Sequence, residues 1–244
     1  MATWSSSGSM SDPAARRRYY GFDVLRGLSI FLMVAYHFGF DLVSYGLLPR
    51  QVLFNPLLNG LQVFFASVFV AISGASSTFS HNNVRRGIKL LLCALVVSLA
   101  TYVAMPSEFI RFGILHFLGC AALLYALLRP LLEKVPLHPL ACLLLFFLFR
   151  WLLSPTYDIP HLWWLGIRQP SFSSGDYFPL LPWFFMYLFG VWLGRAAAAE
   201  KLPAWFYRLR CPFLEKVGSH TLWIYLLHQP LCLGLTLLLV RLLG

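Results

Sequence analysis

Apolar stretches of about twenty residues, separated by short polar segments, recur along the whole chain. Seven of them lie at about residues 22–43, 53–79, 85–105, 110–129, 138–154, 178–199 and 219–242, and the fifth is among the shortest. A helix of about twenty apolar residues is long enough to cross a hydrocarbon core of about 30 Å. The pattern therefore predicts an all-α, polytopic membrane helical bundle with about seven transmembrane helices.

The composition excludes a water-soluble domain. Of the 244 residues, 59% are hydrophobic and only 11% are charged. The spans and their loops use nearly all of residues 18–244, which we expect to form one transmembrane domain after a disordered tail at 1–17. Because Asp23 and Arg26 interrupt the first span, we do not expect it to be a cleavable signal.

The net charge of +10 reflects membrane topology rather than binding of nucleic acid. Thirteen Lys and Arg residues fall in one set of loops and only five in the alternate set. Positive residues concentrate in cytoplasmic loops, so this asymmetry predicts a cytoplasmic N-terminus and a C-terminus outside. The same residues favour contact with anionic membrane lipid. The five cysteines have no metal-type spacing, and we expect no metal.

The first span carries an arginine and a histidine on one face. Arg26 and His37 are eleven positions apart. Eleven helical steps turn through about 1100°, close to three full turns, and place the two side chains about 16 Å apart. Asp23 and Asp41 continue the stripe at its two ends. Charged and titratable groups within a membrane are costly without partners, so we take the stripe as a candidate functional axis.

Depth along the spans groups further polar residues. The predicted topology places His37 and His116 about 9–10 Å below the outer interface, while Asp176 and Tyr177 open the sixth span on that side. His228 lies near the middle of the last span. Each of these residues has a structural alternative. A membrane histidine can be satisfied by a neighbouring carbonyl, Arg26 can pair with Asp23, and Asp176 can cap the sixth span.

Several of these residues belong to motifs that occur in a characteristic order. The motifs are Asp23-Val-Leu-Arg-Gly-Leu28, Met33-Val-Ala-Tyr-His37, Ser73-Gly-Ala-Ser-Ser77, Phe112-Gly-Ile-Leu-His116, Asp176-Tyr-Phe-Pro-Leu-Leu-Pro-Trp183 and Tyr225-Leu-Leu-His-Gln-Pro230. Together they resemble the bacterial members of the heparan-α-glucosaminide N-acetyltransferase catalytic-domain family, over about residues 18–235.

The resemblance implies an integral-membrane acyltransferase of the bacterial inner membrane. Acetyl-CoA or another acyl-CoA would enter from the cytosol. An amine or hydroxyl of a sugar or glycan would be acylated at the extracytoplasmic side. The chain is shorter than the eukaryotic enzymes of this family, so we leave open whether a homo-oligomer supplies part of the site.

Acyl transfer needs a base, donors for the developing oxyanion and a site for the phosphates of the coenzyme. We expect His37 to act as the base or to carry the acyl group, with Asp41 or Asp176 orienting its ring. The candidate catalytic residues are His37, Asp41, His116 and Asp176. The candidate coenzyme-binding residues are Arg26, Arg85, Arg86 and Lys89. The candidate acceptor-binding residues are Tyr177, Trp183 and His228.

Two other functions fit the same polar residues. A transporter or flippase for a lipid-linked sugar would use a polar bundle interior without chemistry. A bis-histidine haem protein would bind iron between His37 and His116, which the predicted topology places at the same depth. Consumption of a thioester separates the acyltransferase from the first, and a Soret band separates it from the second.

Overall fold

The computed structural model describes residues 18–134 and 138–243, and the tail predicted at 1–17 lies outside them. In this part of the chain the regular structure is almost entirely helical. The helices are α1 (Tyr20–Ser44), α2 (Arg50–Leu53), α3 (Pro56–Phe79), α4 (Asn83–Ala104), α5 (Ile114–Lys134), α6 (Pro139–Leu152), α7 (Leu180–Ala198), α8 (Ala204–Arg208), α9 (Pro212–Ser219) and α10 (Thr221–Leu243). A short 3₁₀ turn at Pro106–Glu108 joins α4 to α5.

The predicted all-α membrane bundle is confirmed, with one refinement in the number of long spans. Among the described residues six helices are long and apolar enough to cross a membrane, namely α1, α3, α4, α5, α7 and α10. The fifth predicted span is the shorter helix α6, which has 14 residues. At 1.5 Å per residue it is only about 21 Å long, less than a hydrocarbon core.

Local sequence explains where two of the long helices begin. Asn55 precedes α3, and its side chain accepts a hydrogen bond from the N–H of Leu58 at 3.0 Å. Asn82 does the same for α4, accepting from the N–H of Arg85 at 2.8 Å. Asparagine is favoured at this position because its oxygen satisfies an N–H that the first helical turn leaves free.

The centre of the bundle is the contact between α3 and α7, against which α5 and α6 pack. Small residues allow the close approach. A Cβ added at Gly190 would collide with the backbone of Ala71, and one at Gly194 with the backbone of Ala75. The pair Gly190 and Gly194 is the small-residue spacing by which membrane helices approach closely. Around this contact, Tyr187 and Val191 of α7 are fully buried.

The first and last long helices run side by side in the same direction. Near the start of α1, Arg26 contacts the carbonyl of Gly218, which lies just before α10. Farther along both helices, Asp41 of α1 binds Gln229 of α10. We call the end of the bundle with Arg26 the basic end and the end with His37 the histidine end. The assignment of the basic end to the cytoplasm stays a prediction.

The histidine end is covered by the long segment between α6 and α7, residues 153–179. It has no regular strand or helix, but two isolated bridges hold it, one between Thr156 and Arg168 and one between Tyr177 and Phe112. At its centre Gly166 adopts a φ of +125°, which a side chain would strain. The segment therefore has a defined shape and brings Asp176 to the beginning of α5.

Candidate active site

The basic end contains a cavity of about 370 Å³. Its polar lining comes from Arg26, Ser73, Ser76, Arg86, Thr221 and Tyr225, and its apolar lining from Phe69, Leu90, Leu115, Leu118 and Leu222. The volume lies within the range of small-molecule sites, which are mostly apolar with a few fixed polar groups. The two guanidinium groups make it a candidate site for an anion.

Arg26 is held in place by groups from three parts of the chain. Its Nη2 donates to Ser76 Oγ at 2.5 Å, and its Nη1 lies 3.2 Å from Asp23 Oδ1 and 3.5 Å from the carbonyl oxygen of Gly218. The pairing of Arg26 with Asp23, given above as an alternative, is therefore present. Asp23 also accepts from Arg18 Nε at 2.7 Å, so one carboxylate is shared between two arginines.

Arg86 is fixed only by serine residues of α3. Its Nη1 donates to Ser77 Oγ at 2.7 Å, its Nη2 donates to Ser73 Oγ at 2.6 Å, and both nitrogens lie 3.2 Å from the carbonyl oxygen of Ser73. Within residues 18–134 and 138–243, Arg86 forms no salt bridge. The cavity lining thus has two guanidinium groups and no carboxylate, and the Asp23 carboxylate beside Arg26 is shared with Arg18. This excess of positive charge favours an anionic ligand.

The structure brings only two of the four predicted coenzyme-binding residues together. Arg26 and Arg86 line the cavity, whereas Arg85 and Lys89 are exposed and do not line it. Successive residues on a helix point about 100° apart, so neighbours in sequence such as Arg85 and Arg86 face different surroundings.

At the histidine end, the imidazole beside His37 is that of His228. The two ring centroids are 4.9 Å apart in an edge-on arrangement. The Nδ1 of His37 lies 2.9 Å from the carbonyl oxygen of Met33, and the Nδ1 of His228 lies 2.6 Å from that of Tyr225. A carbonyl only accepts, so in both rings Nδ1 carries the hydrogen and the neutral ring has a lone pair on Nε2.

Asp41 joins this group from the next turn of α1. Its side chain is buried, and its two oxygens accept from Nε2 of Gln229 at 3.0 and 3.2 Å. Asp41 also interacts electrostatically with His37, which lies four residues earlier on the same helix. The carboxylate therefore lies where it can stabilise a positive charge on the His37 ring, and its role in orienting that ring stays a prediction.

Asp176 caps α5, not the α7 helix that follows it in the chain. Its Oδ2 accepts from the backbone N–H of Ile114 at 2.8 Å and from the hydroxyl of Tyr225 at 3.2 Å. The capping position of α7 is Pro179. The prediction that Asp176 caps a helix is confirmed, but the helix it caps is α5 and not the sixth predicted span, α7. Burial raises the pKa of Asp176, and the charge of His37 opposes that rise.

Tyr225 connects the cavity with the histidine group. It lines the cavity that holds Arg26 and Arg86, its hydroxyl binds Asp176, and its ring centroid lies 5.4 Å from that of His228. Arg26 and His37 do share one side of α1, but His37 does not line the cavity. Arg26 and His37 are about 16 Å apart along α1, and Tyr225 lies between them, contacting the cavity on one side and His228 on the other.

His116 is placed away from this group and is satisfied locally. Its Nδ1 accepts from the N–H of Gly113 at 3.2 Å, and its Nε2 lies 3.3 Å from Ser98 Oγ, which itself donates to the carbonyl of Ile110 at 2.6 Å. These bonds assign the proton of His116 to Nε2. The predicted pairing with His37 is replaced by His228, and His116 could bind a haem iron only by giving up one of these hydrogen bonds.

Tyr177 and Trp183, predicted to bind the acceptor, have structural contacts in the described chain. The hydroxyl of Tyr177 donates to the carbonyl of Trp163 at 2.6 Å, and burial raises its pKa to about 12. Trp183 is 5% exposed and packs against Phe146 and Phe178, with centroids 5.3 and 4.6 Å away. Their roles in binding an acceptor stay predictions, and this packing does not favour them.

Comparison with known families decides the classification of this chain. The family described as heparan-alpha-glucosaminide N-acetyltransferase, catalytic, matches residues 18–230. The chain belongs to this family. No curated protein and no solved structure matches it.

Membership of the heparan-alpha-glucosaminide N-acetyltransferase family indicates a membrane transferase of acyl groups. The matched range contains both arginines of the cavity and both histidines of the opposite end, and it stops at Pro230, just after Gln229. The candidate site residues described above therefore fall within the part of the chain that the family model matches.

Sequence reasoning assigned no role to Tyr225 or Gln229. Both lie in the motif Tyr225-Leu-Leu-His-Gln-Pro230, and a proline within an apolar helix was the available signal. Pro230 has no N–H, so the turn before it has a carbonyl without its usual helical partner. Polar side chains next to such a turn can bond to the backbone and be held in one orientation.

No group of three or more His, Cys, Asp or Glu residues suited to a metal occurs in the described chain.

Proposed function

We propose that this protein transfers an acetyl or other acyl group from acyl-CoA to an amine or hydroxyl of a sugar or glycan. The donor enters at the basic end, which we place in the cytoplasm of a bacterial cell, and the acceptor enters at the histidine end. The observation that carries the proposal is Tyr225, which contacts both the arginine-lined cavity and the paired histidines.

The basic end suits the phosphates of the donor. Arg26 and Arg86 present two guanidinium groups to the cavity, and Ser73 and Ser76 add hydroxyl groups. Guanidinium groups bind phosphate oxygens through charge-assisted hydrogen bonds. From Arg26 the thioester has to reach His37, about 16 Å along α1. A long flexible arm such as pantetheine can bridge that separation.

The histidine end suits the chemical step. The lone pair on His37 Nε2 accepts the proton of the acceptor as its nitrogen or oxygen attacks the thioester carbonyl. A bond from the acceptor to the acyl carbon forms, the C–S bond breaks, and the imidazolium returns the proton to the leaving sulfur. Asp41 and Asp176 both interact electrostatically with His37 and would stabilise the imidazolium.

The test uses the purified protein in proteoliposomes with acetyl-CoA and glucosamine. Release of coenzyme thiol and mass spectrometry of the sugar measure the reaction. A positioned base contributes about 10²- to 10⁴-fold, so we expect His37→Gln to reduce kcat by at least about 100-fold. His220→Gln is the matched control, because His220 is exposed and bonds only to its own helix and the adjacent Ser219.

Three results would contradict the proposal. The first is absence of thiol release from the wild-type protein with amine or hydroxyl acceptors, and the second is normal turnover by His37→Gln. The third is sugar movement across the vesicle membrane without loss of thioester, which would identify a transporter.

A further inference from the structure

His228 has a buried ring nitrogen without a partner. The residue is 8% exposed, and its Nε2 makes no hydrogen bond in the structure. A buried polar atom that lacks a partner costs about 1–3 kcal/mol, so such atoms are uncommon outside functional sites. Thr236 on the same helix has a similarly unpartnered hydroxyl, but no titratable group is described in contact with it.

The backbone fixes which nitrogen of His228 is free. Its Nδ1 lies 2.6 Å from the carbonyl oxygen of Tyr225, so Nδ1 carries the hydrogen and Nε2 has the lone pair. Pro230 follows two residues later in the same helix and has no N–H to offer the carbonyl of Leu226. His228 is therefore held as a neutral acceptor, and its tautomer does not depend on a side chain that could titrate.

Several other titratable groups surround His228. His37, held in the same tautomer, lies 4.9 Å away between ring centroids. The titratable groups near the pair come from three elements: Tyr36, His37 and Asp41 of α1, Asp176 of the segment before α7, and Tyr225 and Cys232 of α10. Two imidazole lone pairs thus lie in one region with two carboxyl groups.

We propose that His228 is a second proton acceptor, which converts a protonated amine acceptor into its free base. The inference rests on the proposed function and concerns its amine acceptors, which are ammonium ions at neutral pH. An ammonium nitrogen loses two protons on the way to an amide. His228 Nε2 takes the first, holds it while the C–N bond forms, and releases it to solvent afterwards. His37 takes the second as the C–N bond forms and returns it to the sulfur when the C–S bond breaks. A hydroxyl acceptor has one proton to lose and would need one imidazole.

The test is the pH dependence of kcat/KM for glucosamine, with acetyl-CoA as donor, in wild type and His228→Asn. The asparagine amide can still donate to the carbonyl of Tyr225, but it has no basic nitrogen in place of His228 Nε2. The variant has to use free amine from solution. For an amine pKa of about 8, about 3% is free at pH 6.5. We therefore expect the kcat/KM of His228→Asn for glucosamine to be about 30-fold below that of wild type at pH 6.5 and nearly equal to it at pH 9.5.

The control variants separate this role from a structural one. Thr236→Val removes another of the unpartnered buried polar atoms of α10, one that lies away from His37, and should leave kcat/KM unchanged at both pH values. His37→Gln should lose activity at every pH. A deficit of His228→Asn that is the same at pH 6.5 and pH 9.5 would overturn the inference alone. Absence of thiol release from the wild type would overturn the proposed function as well.

A second measurement does not require the variant to fold. In ¹⁵N spectra of the wild-type protein with labelled histidine, His228 should show a protonated Nδ1 and an unprotonated Nε2 near neutral pH. The chemical shifts of the two nitrogens distinguish this tautomer from the Nε2-protonated form and from the imidazolium. Either of the other two forms would overturn the inference, whatever the activity.

Discussion

The replacement of Arg86 by glutamine tests the donor site most directly, because its neighbour in sequence supplies the control. Arg86 lines the cavity and bonds to Ser73 and Ser77, whereas Arg85 is exposed and lies outside it. Arg86→Gln and Arg85→Gln remove the same charge one residue apart on α4. Any effect of net charge alone must therefore appear in both variants.

The magnitude follows from the hydrogen bonds that a phosphate would lose. A hydrogen bond to a charged group contributes about 1.5–3 kcal/mol, and about 1.4 kcal/mol is a factor of ten. Removing the guanidinium of Arg86 should raise the KM for acetyl-CoA by about 10- to 150-fold. Arg85 is exposed to solvent and screened, so its replacement should change KM less than twofold. Since the phosphates lie away from the reacting carbonyl, kcat should change little in either variant.

The assay is thiol release at several acetyl-CoA concentrations, with thermal unfolding of each variant measured in the same detergent. Glutamine at position 86 can still bond to the serines of α3, and unfolding temperatures close to wild type would show that α3 and α4 remain packed. Equal rises of KM in both variants would mean that only the general surface charge matters. An unchanged KM in Arg86→Gln would mean that the cavity is not the donor site.

Two further predictions concern the cap of α5. Asp176→Asn keeps an oxygen for the N–H of Ile114 and removes a carboxyl whose pKa burial raises, so its ionised form destabilises the fold as pH rises above about 4. Thermal unfolding measured from pH 4 to 7 should show the wild-type protein losing stability relative to Asp176→Asn as the pH rises. A stability difference between the two proteins that stays the same over this pH range would contradict the argument. Gly113→Ala places a Cβ against the Asp176 carboxylate and should cost about 1–3 kcal/mol, whereas Gly60→Ala, in open space on α3, should be neutral or slightly stabilising in the same unfolding assay.

The sequence predicts well both the positions of the helices and the side of α1 that carries Arg26 and His37, since both depend on local pattern. Hydropathy alone locates the six long helices and the weaker α6, within a few residues of their bounds. The spacing of Arg26 and His37 requires only that α1 be helical, and it is helical from Tyr20 to Ser44. Gly190 and Gly194 likewise indicate a close contact without identifying the partner helix.

The composition of the histidine group could not be predicted in the same way. Depth below the interface made His37 and His116 neighbours, but depth does not say which helices touch. In the structure α1 packs on α3, α9 and α10, whereas α5 packs on α4 and α7. His228 is therefore beside His37, and His116 instead bonds to Ser98 of α4. The role of Asp176 at α5 was missed because a cap from a distant segment leaves no signal in local sequence.

The two ends of the proposed site suit ligands of opposite chemistry, and Tyr225 contacts both ends. The arginines offer positive charge and donors, so they favour a phosphate that stays at the basic end. The histidines offer lone pairs, so they favour a group with hydrogens to give. Tyr225 directs its hydroxyl to Asp176, an acceptor, while its own backbone carbonyl holds the ring of His228. A change at this one residue therefore alters the cavity wall, the carboxyl and the second imidazole together. In the proposed reaction the arm of a donor anchored about 16 Å from the histidines has to pass Tyr225, which lines the cavity and contacts His228.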